Sequence, residues 1–186
     1  MPIPPSRYTL GPADGTLTVR TGKAGAASKA GHDLVIEVTS WQATLDLPEG
    51  AGERSLTLTA DPASLRVREG SGGAMPLGDD DKASIAQTID EEVLKGGAIA
   101  FRSRSVEAGP EGAGLRVEGD LDLVGTSRPV AFHLDTGADG RISGTATLKQ
   151  TDWGIKPYSA LFGTLKVTDE VEVAVDARLP AAQAVE

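Results

Sequence analysis

Apolar and polar residues alternate along most of this chain. Leu34, Ile36 and Val38 interleave with Val35, Glu37 and Thr39. Leu115, Val117, Gly119, Leu121 and Leu123 interleave with Arg116, Glu118, Asp120 and Asp122. Val130, Phe132 and Leu134 repeat the pattern, as do Val171, Val173 and Val175 against Glu172, Ala174 and Asp176. A period of two turns successive side chains to opposite faces, so each segment predicts an antiparallel strand with one face in a core and one in water. Turn-prone stretches separate the segments: Pro48–Gly52, Gly109–Gly114, Gly125–Ser127 and Gly137–Gly140. About eight to ten such strands fit along the chain, which predicts a barrel or a sandwich.

One segment breaks the period. Between Asp79 and Lys95, the residues Ile85, Ile89 and Val93 lie four apart, which is helical spacing with a single apolar stripe. Asp79, Asp80 and Asp81 precede the stripe and Gly96-Gly97 follows it. Acidic groups favour the positive end of a helix, and glycine favours its stop. The expectation is one amphipathic helix on the outside of the strands or across a barrel mouth. No repeat or linker interrupts the remainder. A single domain over 8–180 is expected, with 1–7 and 181–186 as flexible tails.

Charge then narrows the partners. Acidic residues outnumber basic ones by 27 to 18, giving a net charge of −9. Such a surface repels phosphate backbones, so nucleic acid is not an expected partner. Cysteine is absent, which removes disulfides and thiol chemistry. No apolar run reaches the roughly eighteen residues a membrane helix needs, so no stable membrane insertion is expected. The segment Met1–Arg7 carries three prolines and no apolar leader core. With Met1 as the natural start, a cytoplasmic protein is expected.

Four motifs carry a resemblance. Gly31-His32-Asp33 ahead of an alternating strand resembles the first-strand signature of the YceI-like lipid/polyisoprenoid-binding family. Ile99, Phe101 and Ser103 resemble a later strand of that family. Val117–Leu121 running into Gly125-Thr126-Ser127-Arg128-Pro129-Val130 is similar to its central hairpin. Thr151-Asp152-Trp153-Gly154-Ile155, followed by Val167–Val171, is similar to its C-terminal signature. The resemblance implies an all-β, lipocalin-like antiparallel β-barrel of about eight strands with one short amphipathic α-helix. It also implies an elongated apolar tunnel for a polyisoprenoid, an isoprenoid quinone or a fatty-acid-like amphiphile. The family's Arg two residues before Asp152 is replaced here by Gln150, so a charged contact at that point is not expected.

A barrel of about eight strands is filled by its own side chains or holds one small ligand. The inward set expected here is slight: Ala60, Gly119, Ile142, Gly144, Ala146 and Leu148 beside valines and leucines. Small linings leave volume unfilled, and a bound hydrocarbon chain restores the missing contacts. Non-enzymatic binding or carriage of a long-chain ligand is therefore expected. The expected wall is Ile36, Val38, Leu58, Ile99, Phe101, Ser103, Leu121, Leu123, Phe132, Ile142, Ala146, Leu148 and Trp153. About ten buried methylenes at ~0.8 kcal/mol each give a gross ~8 kcal/mol, near micromolar affinity with no charged anchor. Two other readings stay open: an enzyme acting on an isoprenoid lipid through His32 with Asp33 or Asp152, and a structural or stress-protective barrel packed dry. A homodimer also stays open.

The remaining candidates are weaker. His32 and Asp33 are adjacent, so a strand turns them to opposite faces and they form no dyad. His32 either bonds a neighbouring loop or meets a headgroup at the barrel mouth. His133 and Asp135 share the face opposite Phe132 and Leu134, which predicts a solvated pair on the outer wall. Ser103 either bonds a strand carbonyl or touches the ligand, and Trp153 either plugs one barrel end or contacts the ligand. Trp41, Tyr158 and Phe162 are the other large residues outside the regular rhythm. Two separated histidines without cysteine do not suggest a zinc site, and Asp79–Asp81 lacks the spacing of a calcium loop. No nucleophile elbow, phosphate loop or dinucleotide fingerprint occurs. No catalytic residue, metal or cofactor is expected.

Overall fold

A computed structural model describes residues 3–160, 163 and 165–181. Phe162 and the terminal stretch from 182 onward lie outside the described residues. Twelve strand segments occur: β1 (Ser6–Leu10), β2 (Gly15–Ala24), β3 (His32–Val38), β4 (Trp41–Leu47), β5 (Ser55–Ala60), β6 (Leu65–Gly72), β7 (Ile99–Ala108), β8 (Leu115–Leu123), β9 (Thr126–Thr136), β10 (Arg141–Lys149), β11 (Ser159–Ala160) and β12 (Leu165–Arg178). One α-helix, α1 (Asp79–Thr88), interrupts them. The first strand starts at Ser6, inside the stretch expected to be a tail, and Ser6 is buried.

Eleven of the twelve segments make eight strands, because three strands bend. Gly11–Asp14 alone separate β1 from β2, Thr39 and Ser40 separate β3 from β4, and Asp61–Ser64 separate β5 from β6. On one side of this corner the order is β1-β4-β5, and on the other it is β2-β3-β6. Counting each bent strand once, every strand pairs antiparallel with the next through β7, β8, β9, β10 and β12. The last strand then returns to the first, with β12 paired to β2 from Lys166↔Ala24 to Ala177↔Gly15. The ladder closes into a ring. The two-residue β11 lies beside the start of β12.

The bends are held by hydrogen bonds that replace the interrupted ladder. Thr39 N–H donates to Ser64 O and Asp61 N–H to Ser40 O, both at 3.0 Å. The buried Ser64 hydroxyl donates to Asp61 O at 2.7 Å, and the Asp61 carboxylate accepts from Ala63 N–H at 2.9 Å. At the other bend Gly11 N–H donates to Asp14 Oδ2 at 2.9 Å. These satisfy backbone groups that a straight ladder would have used.

Helix α1 starts at Asp79, where the Asp81 carboxylate accepts from Gly78 N–H at 2.9 Å. The chain then widens into one π-turn over Ile89–Val93, with Leu94 N–H donating to Ile89 O at 2.8 Å. The spacing of Ile85, Ile89 and Val93 accounts for this: in an α-helix each step of four overshoots a full turn by ~40°. The underwound turn brings Val93 back toward the stripe. Lys95 and Gly96, at φ 53° and 62°, end the helical segment. The segment packs along β6 and the Pro62–Ser64 bend.

Strands β7 and β8 pack closely against each other. A Cβ built on Gly119 would stand 2.3 Å from Arg102 O and 2.6 Å from Phe101 Cζ. Glycine is required there because β7 bulges between Ser103 and Ser105 and the two backbones approach closely. Gly119→Ala is expected to lower stability by about 1–3 kcal/mol in urea unfolding, the cost of overpacking a filled site. An unchanged midpoint would mean that β7 and β8 have room to part.

Candidate functional site

The closed ring leaves an internal cavity of about 620 Å³. Its wall comes from the inward-facing alternate residues of the long strands, and Cα pairing sorts them into tiers. On the β10-β12-β2-β3 side one tier is Ala146, Val173, Val19 and Ile36. The next is Leu148, Val171, Thr21 and Leu34. Beyond it come Val167, paired with Lys23, and the flanking lining residues Gln150 and His32. Across the cavity Ala43, Leu58, Phe101 and Leu121 form a matching apolar tier. The Phe101 and Phe132 rings meet with centroids 5.5 Å apart and planes tilted by 56°. Ser84, Ile85, Thr88, Ile89, Val93 and Leu94 of the helical segment complete the wall. The tiers are mainly apolar, and the lysines of the wall, Lys23 and Lys166, lie toward one end with Gln150 and His32.

Of the thirteen residues expected to form this wall, all but Ser103 lie on it. Ser103 is the correction. The β5–β7 ladder ends at Thr57↔Arg102, and the Ser103 hydroxyl takes the next rung by accepting Leu56 N–H at 2.8 Å. The bulge that follows it breaks the alternation that pointed it inward. Two expected glycines also differ in kind. Gly119 is covered by the Phe101 ring, and a Cβ on Gly144 would meet His133 O at 2.4 Å, so neither position has free space beside it.

Two of the residues with two open readings, His32 and Trp153, combine a fixed protein contact with a place on the cavity wall. The His32 ring nitrogen lies 2.7 Å from Met75 O, and the same ring lines the cavity. Trp153 packs with Leu148 and Ile155 and donates its indole N–H to Leu121 O at 2.8 Å, while one face of it lines the cavity. Gln150 donates to Thr168 O at 3.0 Å. His133 and Asp135 are exposed. Sequence reasoning passed over Thr21 and Lys23. Their signal was the alternation Leu17, Val19, Thr21, Lys23 along β2, hidden because its last two members are polar.

Charge is distributed unevenly around the cavity. Among the described residues no Asp or Glu side chain lines it, although the chain holds 27 acidic residues. The charged lining residues are Lys23 and Lys166. Lys23 Nζ donates to Gly31 O at 3.1 Å and lies 3.9 Å from Asp33 Oδ2. Two buried polar side-chain atoms have no hydrogen-bond partner among the described residues, Thr21 Oγ1 and Trp41 Nε1, and both residues line the cavity. The turn that carries Trp153 is pinned from outside. Asp169 accepts from Thr151 Oγ1 at 2.6 Å and from Thr151 N–H at 2.9 Å, and these bonds hold its carboxyl below the ordinary range. Among the described residues no cluster of three His, Cys, Asp or Glu side chains could hold a metal ion. Nor is any helix long and apolar enough to cross a membrane.

An antiparallel ring of eight strands around one elongated apolar cavity, with a single helix against it, defines a barrel of the lipocalin-like class. The chain belongs to the YceI-like family, whose domain model matches residues 8–179. Solved structures agree on the fold. Burkholderia cenocepacia BcnA superposes with a TM-score of 0.59 at 15% identity, covering 86% of this chain and 94% of that one. The Campylobacter jejuni YCEI protein gives 0.55 at 13% identity, with 81% and 85% covered. A variant of the latter with a monobromobimane guest gives 0.57 at 13% identity, with the same coverage. No curated protein matches the sequence.

Two outcomes follow from these contacts. Ser103→Ala leaves the buried Leu56 N–H without its partner and should cost about 1–3 kcal/mol by chemical unfolding. A cost near zero would mean that water replaces the hydroxyl. Asp169 contributes stability above the carboxylate's unfolded value, ~3.9, and loses it as pH falls through the lower folded value. Asp169→Asn is therefore expected to melt below the parent at pH 7, with the gap narrowing toward pH 3 in calorimetry. A gap independent of pH would show that the charge of Asp169 is not what holds the turn.

Proposed function

We propose that this protein takes up one long-chain apolar or amphipathic molecule inside the barrel, as a carrier or sensor, and does not turn it over. The ligand class is polyisoprenoid, isoprenoid quinone or fatty-acid-like. The observation that carries this reading is the 620 Å³ cavity with its aliphatic and aromatic wall. A cavity of this volume is many times what a single water needs and has room for an extended hydrocarbon chain. An empty apolar space of this size forfeits dispersion contacts on every side, and a hydrocarbon chain returns them. The tiers of Ala146, Val173, Val19 and Leu148, Val171, Leu34 offer such a chain contacts without hydrogen-bonding demands. Membership of the YceI-like family supports the same reading. For the enzyme reading, His32 would need Asp33 or Asp152, and neither carboxylate lines the cavity that His32 lines.

The test fills the space with protein. Ala146 stands in the middle tier beside Val173 and has open volume before it. Ala146→Phe is expected to cut uptake of a fluorescent long-chain probe about tenfold. Stability of the delipidated protein should change by less than about 1 kcal/mol, whereas overpacking a full core costs ~1–3. An organic extract of the purified parent should yield a long-chain species by mass spectrometry. Undiminished probe uptake by Ala146→Phe would sink the proposal, and ready unfolding of the variant would mean that the barrel was already full.

A further inference from the structure

The cavity wall is not uniform, and its polar end has a definite electrostatic character. The tier of Leu34, Thr21, Val171 and Leu148 is the last apolar one, and the next along β2 brings Lys23 inward beside Val167. His32 and Gln150 flank that level on the wall, and Lys166 sits exposed at the rim. In a chain of net charge −9, no acidic side chain among the described residues is on the wall while two lysines are placed on it. Lys23 is the inner of the two, with its side chain 24% exposed. One of its three ammonium protons goes to Gly31 O, and its ion pair with the half-exposed Asp33 is loose at 3.9 Å. One tier deeper, the buried Thr21 hydroxyl has no partner among the described residues. A lysine with donors to spare at one end of an apolar tunnel is complementary to an anion attached to a hydrocarbon.

We propose that the natural ligand is a long-chain carboxylic acid, seated with its chain among the apolar tiers and its carboxylate at Lys23. The proposal rests on the cavity being a ligand site. A bare hydrocarbon end would leave the remaining donors of Lys23 unused, and a neutral carbonyl or hydroxyl would accept from it without matching its charge. A diphosphate would bring several negative charges to two lysines and no arginine, one of those lysines already shared with Asp33. A carboxylate matches the charge and can accept from the ammonium group. The collar thus sets the direction of entry, chain first and charge last.

The test compares cis-parinaric acid with its methyl ester, two fluorescent probes that share one chain and differ in the charge of the headgroup. At pH 8 the parent protein is expected to bind the acid about tenfold more tightly than the ester, the usual gain from one charge-assisted contact. Lys23→Met should erase that ratio while leaving the ester's affinity within about twofold. Lys23→Arg should retain the preference, and the melting temperatures of both variants check that they fold. Equal binding of acid and ester by the parent, or an unchanged ratio in Lys23→Met, would overturn the carboxylate assignment and leave the cavity reading intact. Binding of neither probe to the parent would overturn both.

Discussion

A strand at the end of a sheet leaves a row of N–H and C=O groups without partners, and in this protein those rows are used up by joining the last strand to the first. The β2–β12 pairing is the closure on which the rest depends. Once the ring is shut, its diameter is set by strand number and tilt and not by the side chains inside. The interior then has a size that Val19, Ala146, Val173 and their neighbours do not fill. The cavity is therefore a consequence of backbone geometry meeting small side chains. The three bent strands serve the same end, since they let one ladder run around a corner without exposing an edge.

Charges on this protein are sorted by face more than they are paired for strength. Arg7 with Asp46, Arg20 with Glu172, Arg68 with Glu37 and Arg141 with Asp176 lie across neighbouring strands on the outer surface. Exposed pairs of this kind each contribute little, about 0–1 kcal/mol. Their value is in register: slipping a strand by one residue would drive these groups into the apolar tiers and the valines into water. The acidic excess thus sits where solvent carries it. Among the described residues the same alternation keeps carboxylates out of the cavity and leaves two lysines on its wall.

Period two was enough to place most of the wall, because a residue such as Ile142 or Leu148 can face inward only if its neighbours face out. It failed where the ladder is irregular. Ser103 kept the right parity and still left the wall, because the β5–β7 pairing stops one residue earlier and a bulge follows. It also failed where polarity masks direction, as at Thr21 and Lys23, which continue the inward face of Leu17 and Val19. The bends at Gly11–Asp14, Thr39–Ser40 and Asp61–Ser64 carry turn-prone residues, yet nothing local distinguishes a bend within one strand from a reversal between two. That distinction depends on which partners lie beyond the bend. The helix was legible as a stripe of isoleucines, whereas its π-turn follows from the mismatch between that stripe and 3.6 residues per turn.

The pairing that closes the ring joins residues very far apart along the chain, as in the contact between Thr18 and Ala174, 156 positions away. Most of the other ladders join neighbours in sequence and can form early, but this one has no partner until the final strand exists. Folds dominated by such distant pairings fold slowly. On a ribosome adding about 5–20 residues each second, β2 waits for many seconds as an unpaired edge. During that interval the nascent chain is an open, curled sheet with its apolar face uncovered. It is then that association with another chain competes most strongly with folding.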